Sequence, residues 1–596
     1  MCRISGIVHR SSTPAIDQIT SMRDSMLHGG PDDAGVYIDE ELHLALGHRR
    51  LSLIDLSAAG HQPMFSKDKN LVIVFNGEIY NYKEIQQELQ SLGHNFISHS
   101  DTEVIIAAYA QWGKDCFSRF NGMFALAILD KLNGKLILAR DHAGIKPLYY
   151  SFENGSLYFA SEIRAFKTIY SNWKTNPDWR TYFLVFGYIP EPYTTLENVY
   201  TLSKGNWMEI SLNTFNQQQG QFAQPNYQYT IHSEQEAVTK VKDALDAAVK
   251  RHLISDAPIG LFLSGGIDSS ILTLLAKKYC GDQLQTLSID FEESSFSEKK
   301  YQQIIIDATN AKHQSFIVSK QDFIDAIPDI LEAIDQPSND GINSYFITRY
   351  AKEAGLKAVL SGIGADELFG GYPSFKRTGL LGYTQLIPPF LLKAAVLFPD
   401  DKKKKIQFLV DTRFPGHYLF NRGFFTPDRV AAYLDIPISK VNRVIESVAL
   451  PAANKAMHPL EQVAFEETNL YMQNQLLKDT DYMSMWHSVE VRVPFLDKDL
   501  MNLVYSIHPD IRYNSKQTKH LLIKAFADIL PEAIWNRPKQ GFTFPFQQWF
   551  NQVNIPTTNN PILQQMQAGL VNGKTHWSRY WCYSLTQLQN RRGKAW

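Results

Sequence analysis

The run Leu261-Phe262-Leu263-Ser264-Gly265-Gly266-Ile267-Asp268-Ser269-Ser270 constrains this chain more than any other stretch. Apolar residues lead into two adjacent glycines and out again into the apolar helical pattern ILTLLAKKY. A strand that turns this tightly into a helix is the connection of a parallel sheet covered by helices. LQTLSID (284–290) reads as a neighbouring strand, and LKAVLSGIGADE (356–367) as another ending in a glycine turn. Two such turns at the carboxyl ends of neighbouring strands lie where an open α/β sheet holds its ligand. In the first turn, backbone N–H groups, the Ser264 and Ser269 hydroxyls and a helix N-terminus would converge on an anion such as phosphate. No Gly-Lys-Ser/Thr closes the loop, so it is not a Walker A motif. Positive charge must then come from elsewhere, and Asp268 with Asp366 are the carboxylates placed to hold Mg²⁺. A capped strand-to-helix turn would explain two glycines alone, but it leaves the full Ser-Gly-Gly-x-Asp-Ser run unexplained.

The first two hundred residues have a different texture. LVIVFNGEIYNY (71–82), FALAILD (124–130) and KLILARDHAGIKPLYY followed by SLYFASE are β-rich runs separated by Asn, Gly and Asp turns, which predicts antiparallel sheets. The Gln-rich stretch 213–228 is polar and aperiodic, a linker or a surface hairpin. The expected division is therefore 1–212, a linker over 213–233, and 234–596, mostly helical beyond about residue 375. A chain of 596 residues exceeds what one core supports. A net charge of -2 gives no field to gather nucleic acid or an anionic membrane, and Lys402–Lys405 reads as a solvated face. No window has the ~20 apolar residues of a membrane span, and Arg3, His9 and Arg10 interrupt the start without a secretory core. Cys2, Cys116, Cys280 and Cys582 show neither a disulfide framework nor metal-ligand spacing, so a reducing, cytoplasmic setting is expected.

Cys2 stands apart from the other three. With Met1 removed, one residue would carry both a thiol and a free α-amine of near-neutral pKa, able to act as the thiol's own base. Alone, a second-position cysteine carries little weight; its neighbours add to it. Asn76 and Gly77 follow an apolar strand, where an amide and a glycine N–H can converge as an oxyanion hole. Arg49 offers a fork for an α-carboxylate, and Asp101 a carboxylate for an α-ammonium. Each alone also fits turn or cap chemistry. Together they describe a receptor for an α-amino acid beside a thiol nucleophile.

MCRISGIV, LHGGPDD, GHRRLSLIDLS, NGEIYNY, SDTEV, FNGMFALAILD and ARDHAGIKPLYY resemble the class-II glutamine amidotransferase domain, an N-terminal-nucleophile hydrolase. The resemblance covers about residues 1–210. It implies an antiparallel β-sandwich with flanking helices in which Cys2 attacks the glutamine side-chain amide. Asn76 and Gly77 would hold the oxyanion, and Arg49, Glu78 and Asp101 the glutamine backbone groups. Two positions depart from the family pattern: Arg3 stands where glycine is usual, and Gly29 replaces the arginine of His-Arg-Gly-Pro-Asp.

SGGIDSS, LSID, LSGIGADELFGGY, KDTDYMSMWHSVEVRVPFLD and RPKQGF, in order over about 235–550, resemble the ATP-pyrophosphatase domain of the glutamine-hydrolysing asparagine synthetase family. The resemblance implies an α/β domain in which Ser264, Gly265, Gly266, Asp268 and Ser269 grip the pyrophosphate of ATP. Leu263, Ile289, Ser361 and Gly362 would border adenosine, Asp268 and Asp366 would hold Mg²⁺, and Lys539 would stabilise transition-state charge. The implied reaction amidates an adenylylated carboxylate with ammonia from glutamine, carried between the sites inside the protein. Aspartate is the acceptor the resemblance names, but the family's acidic residue in the second loop is Ile363 here. Isoleucine neither accepts a proton nor binds an ammonium, so aspartate and another carboxylate (a sugar uronate, a peptide or a secondary-metabolite acid) both stay open. So does a homodimer.

Overall fold

The computed structural model describes every residue except 1, 170–172, 382–386, 399, 411–413, 451–456, 515, 539–543, 554, 556–559 and 589–596. The side chains of 379–381 and 401 are likewise outside the description.

Among the described residues, the N-terminal half holds twelve strands. They are β1 (Arg3–His9), β2 (Asp33–Asp39), β3 (Leu44–Arg50), β4 (Met64–Phe65), β5 (Leu71–Ile79) and β6 (Gly122–Asp130). Then come β7 (Lys135–Arg140), β8 (Tyr149–Glu153), β9 (Ser156–Ala160), β10 (Tyr200–Thr201), β11 (Asn206–Ser211) and β12 (Gln217–Gln221). They form two six-stranded sheets ordered β10-β8-β9-β1-β3-β2 and β12-β11-β7-β6-β5-β4, antiparallel throughout. Strand β5 explains why its sequence is apolar without alternation. Val72 and Val74 join Ile4, Leu46 and Leu138 between the sheets, while Ile73 and Phe75 pack outward against Leu89 and Ile105 of two covering helices. A strand buried on both faces needs apolar residues at both parities. The other sheet is covered in the same way by the helix Ile16–Asp24. The result is a four-layer sandwich. The Gln-rich segment contributes the edge strand β12, paired with β11, before the chain runs irregularly to residue 230.

The second half is built on a parallel sheet of β13 (Ile259–Phe262), β14 (Gln285–Phe291), β15 (Lys312–Val318), β16 (Ala358–Leu360) and β17 (Glu490–Arg492), ordered β15-β14-β13-β16-β17. The rest is helical. A π-helix, Glu467–Leu477, runs directly into the helix Lys478–Trp486. One apolar core joins the halves: Leu51, Leu53, Tyr80, Met123 and Ile145 pack with Leu261, Val359, Val491 and Leu500. Polar contacts cross the same boundary, including His142 Nε2 to the Leu496 carbonyl at 2.8 Å and the buried Tyr149 and Tyr482 hydroxyls at 2.5 Å. Among the described residues, no helix is long and apolar enough to cross a membrane.

Candidate active sites

Strand β1 starts at Arg3 and so presents Cys2 at the end of the sheet β10-β8-β9-β1-β3-β2. The Cys2 N–H donates to Asn76 Oδ1 at 3.1 Å, which fixes the side-chain amide of Asn76. Asn76 Nδ2 is left buried and unpartnered, a spare donor on the amide that holds the Cys2 backbone. Gly77 has φ +155°, and a Cβ there would stand 2.0 Å from the Met123 carbonyl oxygen of β6. Only glycine lets the two strands approach this closely. Burial pushes the Cys2 thiol up to about 11, so at neutral pH it is a thiol and needs a base to attack.

A cavity opens beside it, lined by Cys2, Arg50, Gly77, Glu78, Ser100 and Asp101 among others. Asp101 begins a helix capped by Ser100, and its Oδ2 accepts the Ile79 N–H at 2.9 Å. Burial lifts this carboxyl to about 6. Burial also raises Glu78 well above the ordinary range, against the pull of Arg492 3.5 Å away.

Arg49 is not at this cavity. Its guanidinium lies 2.7 Å from Asp24 on the outer helix, and Arg50 lines the cavity instead. Side chains alternate along β3, so consecutive arginines must take opposite faces. Arg50 also holds the following loop, through the carbonyls of Ile54, Asp55 and Ser57.

At the carboxyl end of the parallel sheet, the two glycine turns touch. A Cβ on Gly362 would stand 2.8 Å from Asp268 Cβ. Within the first turn, Ser264 Oγ lies 3.1 Å from Ser269 Oγ and accepts the Gly266 N–H at 3.3 Å. Gly265 takes φ +75° against Tyr301, a conformation costly for other residues. Asp268 and Asp366 converge on one point, the ammonium of Lys519, which is 2.6 Å from an oxygen of each. The paired carboxylates hold this buried lysine firmly charged, its pKa raised against desolvation. Leu263 and Ile289 are buried, and the Ser361 N–H donates to the Arg492 carbonyl at 2.8 Å. Ile363 is half-buried against the shared core. Lys539 lies outside the described residues. Arg537, two positions earlier, donates to the Gly265 carbonyl at 3.0 Å and stacks 3.7 Å from the Tyr301 ring.

Three groups here carry no sequence signal of their own. Lys519 is a lysine far downstream of the loops it bridges. Glu367 follows Asp366, and burial with that neighbour lifts it to about 7, with Tyr372 donating to it at 2.7 Å. Arg50 differs from Arg49 only in parity, which is decided by a register no motif contains.

Known protein families match both halves of the chain. A family model described as asparagine synthase matches residues 240–574, and one described as glutamine amidotransferase domain matches 1–222. Asparagine synthetase [glutamine-hydrolyzing] 1 of Bacillus subtilis is 32% identical over 95% of this chain and 90% of its own length. Asparagine synthetase B [glutamine-hydrolyzing] of Escherichia coli is 28% identical over 91% and 82%. The amidase chry2 of Gibberella zeae is 26% identical over 91% and 87%. With its antiparallel glutaminase sandwich ahead of a parallel-sheet, ATP-using synthetase domain, this chain belongs to the glutamine-hydrolysing asparagine synthase family.

Proposed function

We propose that the chain makes an amide from a carboxylic acid, using glutamine as nitrogen donor and ATP to activate the acid, with aspartate as the acceptor to test first. The observation that carries this reading is the single cavity shared by Cys2, Arg50, Gly77, Glu78 and Asp101. Arg50 suits the α-carboxylate of glutamine, Asp101 and Glu78 its ammonium, and Asn76 Nδ2 with the Gly77 N–H the oxyanion. With Met1 absent, the Cys2 α-amine takes the thiol proton, sulfur attacks the side-chain amide, and ammonia leaves. Water then releases glutamate from the thioester.

In the second domain, an oxygen of the acceptor carboxylate attacks the α-phosphorus of ATP and pyrophosphate departs. Ammonia attacks the activated acyl carbon, and AMP is the leaving group. Ser264, Gly265, Gly266 and Ser269 are the pyrophosphate cradle in this reading, with Leu263, Ile289, Ser361 and Gly362 beside adenosine and Lys539 opposite the developing charge. Asp268 and Asp366 already gather one cation, and a carboxylate pair at that spacing suits Mg²⁺ bound jointly with phosphates. Mg²⁺ would neutralise the triphosphate, with Lys519 turning from the carboxylates to phosphate oxygens. Ammonia passes between the sites inside the protein in this reading, and a small cavity lined by Ile145, Lys146, Asp481 and Val491 lies on the domain boundary it would cross. A cytoplasmic home and a homodimer complete this reading.

Ile363 favours a second acceptor class. It leaves the loop without the acidic group an amino-acid acceptor would meet, and the next carboxyl after Asp366, which this reading gives to Mg²⁺, is Glu367. A pyrophosphate-release screen over aspartate, uronates, peptides and other acids, with ammonium supplied, decides between them. Cys2→Ala should abolish glutamine-driven turnover and spare ammonium-driven turnover; equal loss of both would sink the division of labour.

A further inference from the structure

The two departures of the first domain from its family pattern meet in space. Arg3, next to the nucleophile, has a fully buried side chain. Its stem fills the volume a side chain at position 29 would occupy: a Cβ on Gly29 would stand 2.7 Å from Arg3 Cγ and 2.8 Å from Nε. Arginine at 3 and glycine at 29 therefore share one volume. The guanidinium enters it from the nucleophile strand, and the 27–29 turn, having no side chain at 29, admits it.

The guanidinium forks across the domain boundary. Nε donates to Glu162 at 2.6 Å, and one terminal nitrogen lies 2.9 Å from Asp481 Oδ2, on the helix Lys478–Trp486 of the synthetase half. Glu162 is held from the other side by His28 at 2.9 Å and Arg164 at 2.8 Å. His28 rests on the Trp486 ring, and Ser488 Oγ donates to its carbonyl at 2.7 Å. Breaking one partner of a buried pair leaves an uncompensated charge, so the fork is stiff. The helix bearing Asp481 continues backwards into the π-helix Glu467–Leu477. There Glu467 pairs with Arg422 at 2.9 Å, and Arg422 is stacked between Tyr471 and Tyr372, the latter bonded to Glu367 beside Asp366. One helical rod thus reaches from the loop of the ATP site to the residue after the thiol.

We propose that the Arg3–Asp481 pair, admitted by glycine at 29, is a positioning contact through which the synthetase half sets the placement of Cys2 and so the coupling of glutamine hydrolysis to amide formation. The inference rests on the two-site reading above. The test uses the full chain, with aspartate as acceptor, replaced by the acid the pyrophosphate screen selects if aspartate is inert. Three rates are measured: glutamate formation alone, ammonium-driven pyrophosphate release, and glutamate formed per pyrophosphate with all substrates present. Arg3→Gly and Asp481→Asn should each raise the last ratio at least threefold, and Arg3→Gly should leave ammonium-driven release within twofold of wild type. Gly29→Arg alone should do the same, because two guanidinium groups compete for one volume. The exchange Arg3→Gly/Gly29→Arg should return the ratio to within twofold of wild type, a rescue that loss of folding cannot mimic. An unchanged ratio in Asp481→Asn, or no rescue in a folded exchange variant, overturns the proposal. Absence of ammonium-driven release in the wild type with every acid tested would instead count against the two-site reading itself.

Discussion

Replacing the two adjacent arginines of β3 one at a time tests the geometry of the glutaminase site directly. Arg50 lines the cavity beside Cys2, whereas Arg49 faces Asp24, whose side chain is 40% exposed. A hydrogen-bonded contact to a charged group contributes roughly 1.5–3 kcal/mol. If Arg50 holds the glutamine carboxylate, Arg50→Ala should lower kcat/KM for glutamine about 10- to 150-fold, mostly through KM. Arg49→Ala removes a partly solvated pair worth about 0–1 kcal/mol of stability, and should leave kcat/KM within about threefold. Arg50 also binds three loop carbonyls, so its removal loosens residues 54–57 as well. Arg50→Lys separates the two effects: it keeps the charge but loses the planar fork, and should fall between wild type and Arg50→Ala. The assay is glutamate formation across a glutamine series, with ammonium-driven pyrophosphate release as the control that neither variant should change. An Arg49→Ala defect as large as that of Arg50→Ala would refute the assignment.

Three further outcomes are expected. Burial holds Asp101 at about 6, so below that value kcat/KM for glutamine should fall more steeply than protonation of the Cys2 α-amine alone accounts for, by up to a further tenfold per pH unit, as the carboxylate that meets the substrate ammonium is protonated. A raised carboxyl pKa favours the folded apo chain as pH falls from 6 towards 3.8, so unfolding from this group cannot imitate the loss. Ammonium-driven release at fixed free ammonia should lack that limb, and its presence there would exclude Asp101 as the cause. Lys519→Met leaves Asp268 and Asp366 facing each other and should destabilise the chain by about 3 kcal/mol, the low end for a broken buried pair because both carboxylates are partly exposed. Millimolar Mg²⁺ should then raise the melting temperature of the variant more than that of wild type; equal shifts would refute the shared cation point. Ile363→Glu should increase pyrophosphate release with aspartate if the native acceptor is another acid, and an aspartate-specific wild type would contradict that reading.

The fold was largely legible because its signals are local. The apolar runs 71–79 and 124–130 and the two glycine turns each announce their own element, and the sandwich and the parallel sheet follow from connecting them. The site was legible only where chemistry sits inside a motif. Arg49 and Arg50 look alike in sequence because the inward parity of β3 is set by its pairing with β1 and β2, not by the residues themselves. Lys519 had no signal because its partners lie 251 and 153 positions away, counted from Asp268 and Asp366. The departures at 3 and 29 were both visible, but their contact depends on a turn folding over a strand, a long-range fact that neither position encodes.

The apolar interior common to both halves has a practical consequence. Tyr80, Met123 and Ile145 finish their burial against Val359, Val491 and Leu500, so an enzyme cut within residues 223–230 would expose a raw apolar wound on each fragment. Expressed singly, the fragments should aggregate; expressed together, they should find each other and reassemble. In the intact chain the same seam argues for one calorimetric transition rather than two, with glutaminase and synthetase lost at a common temperature.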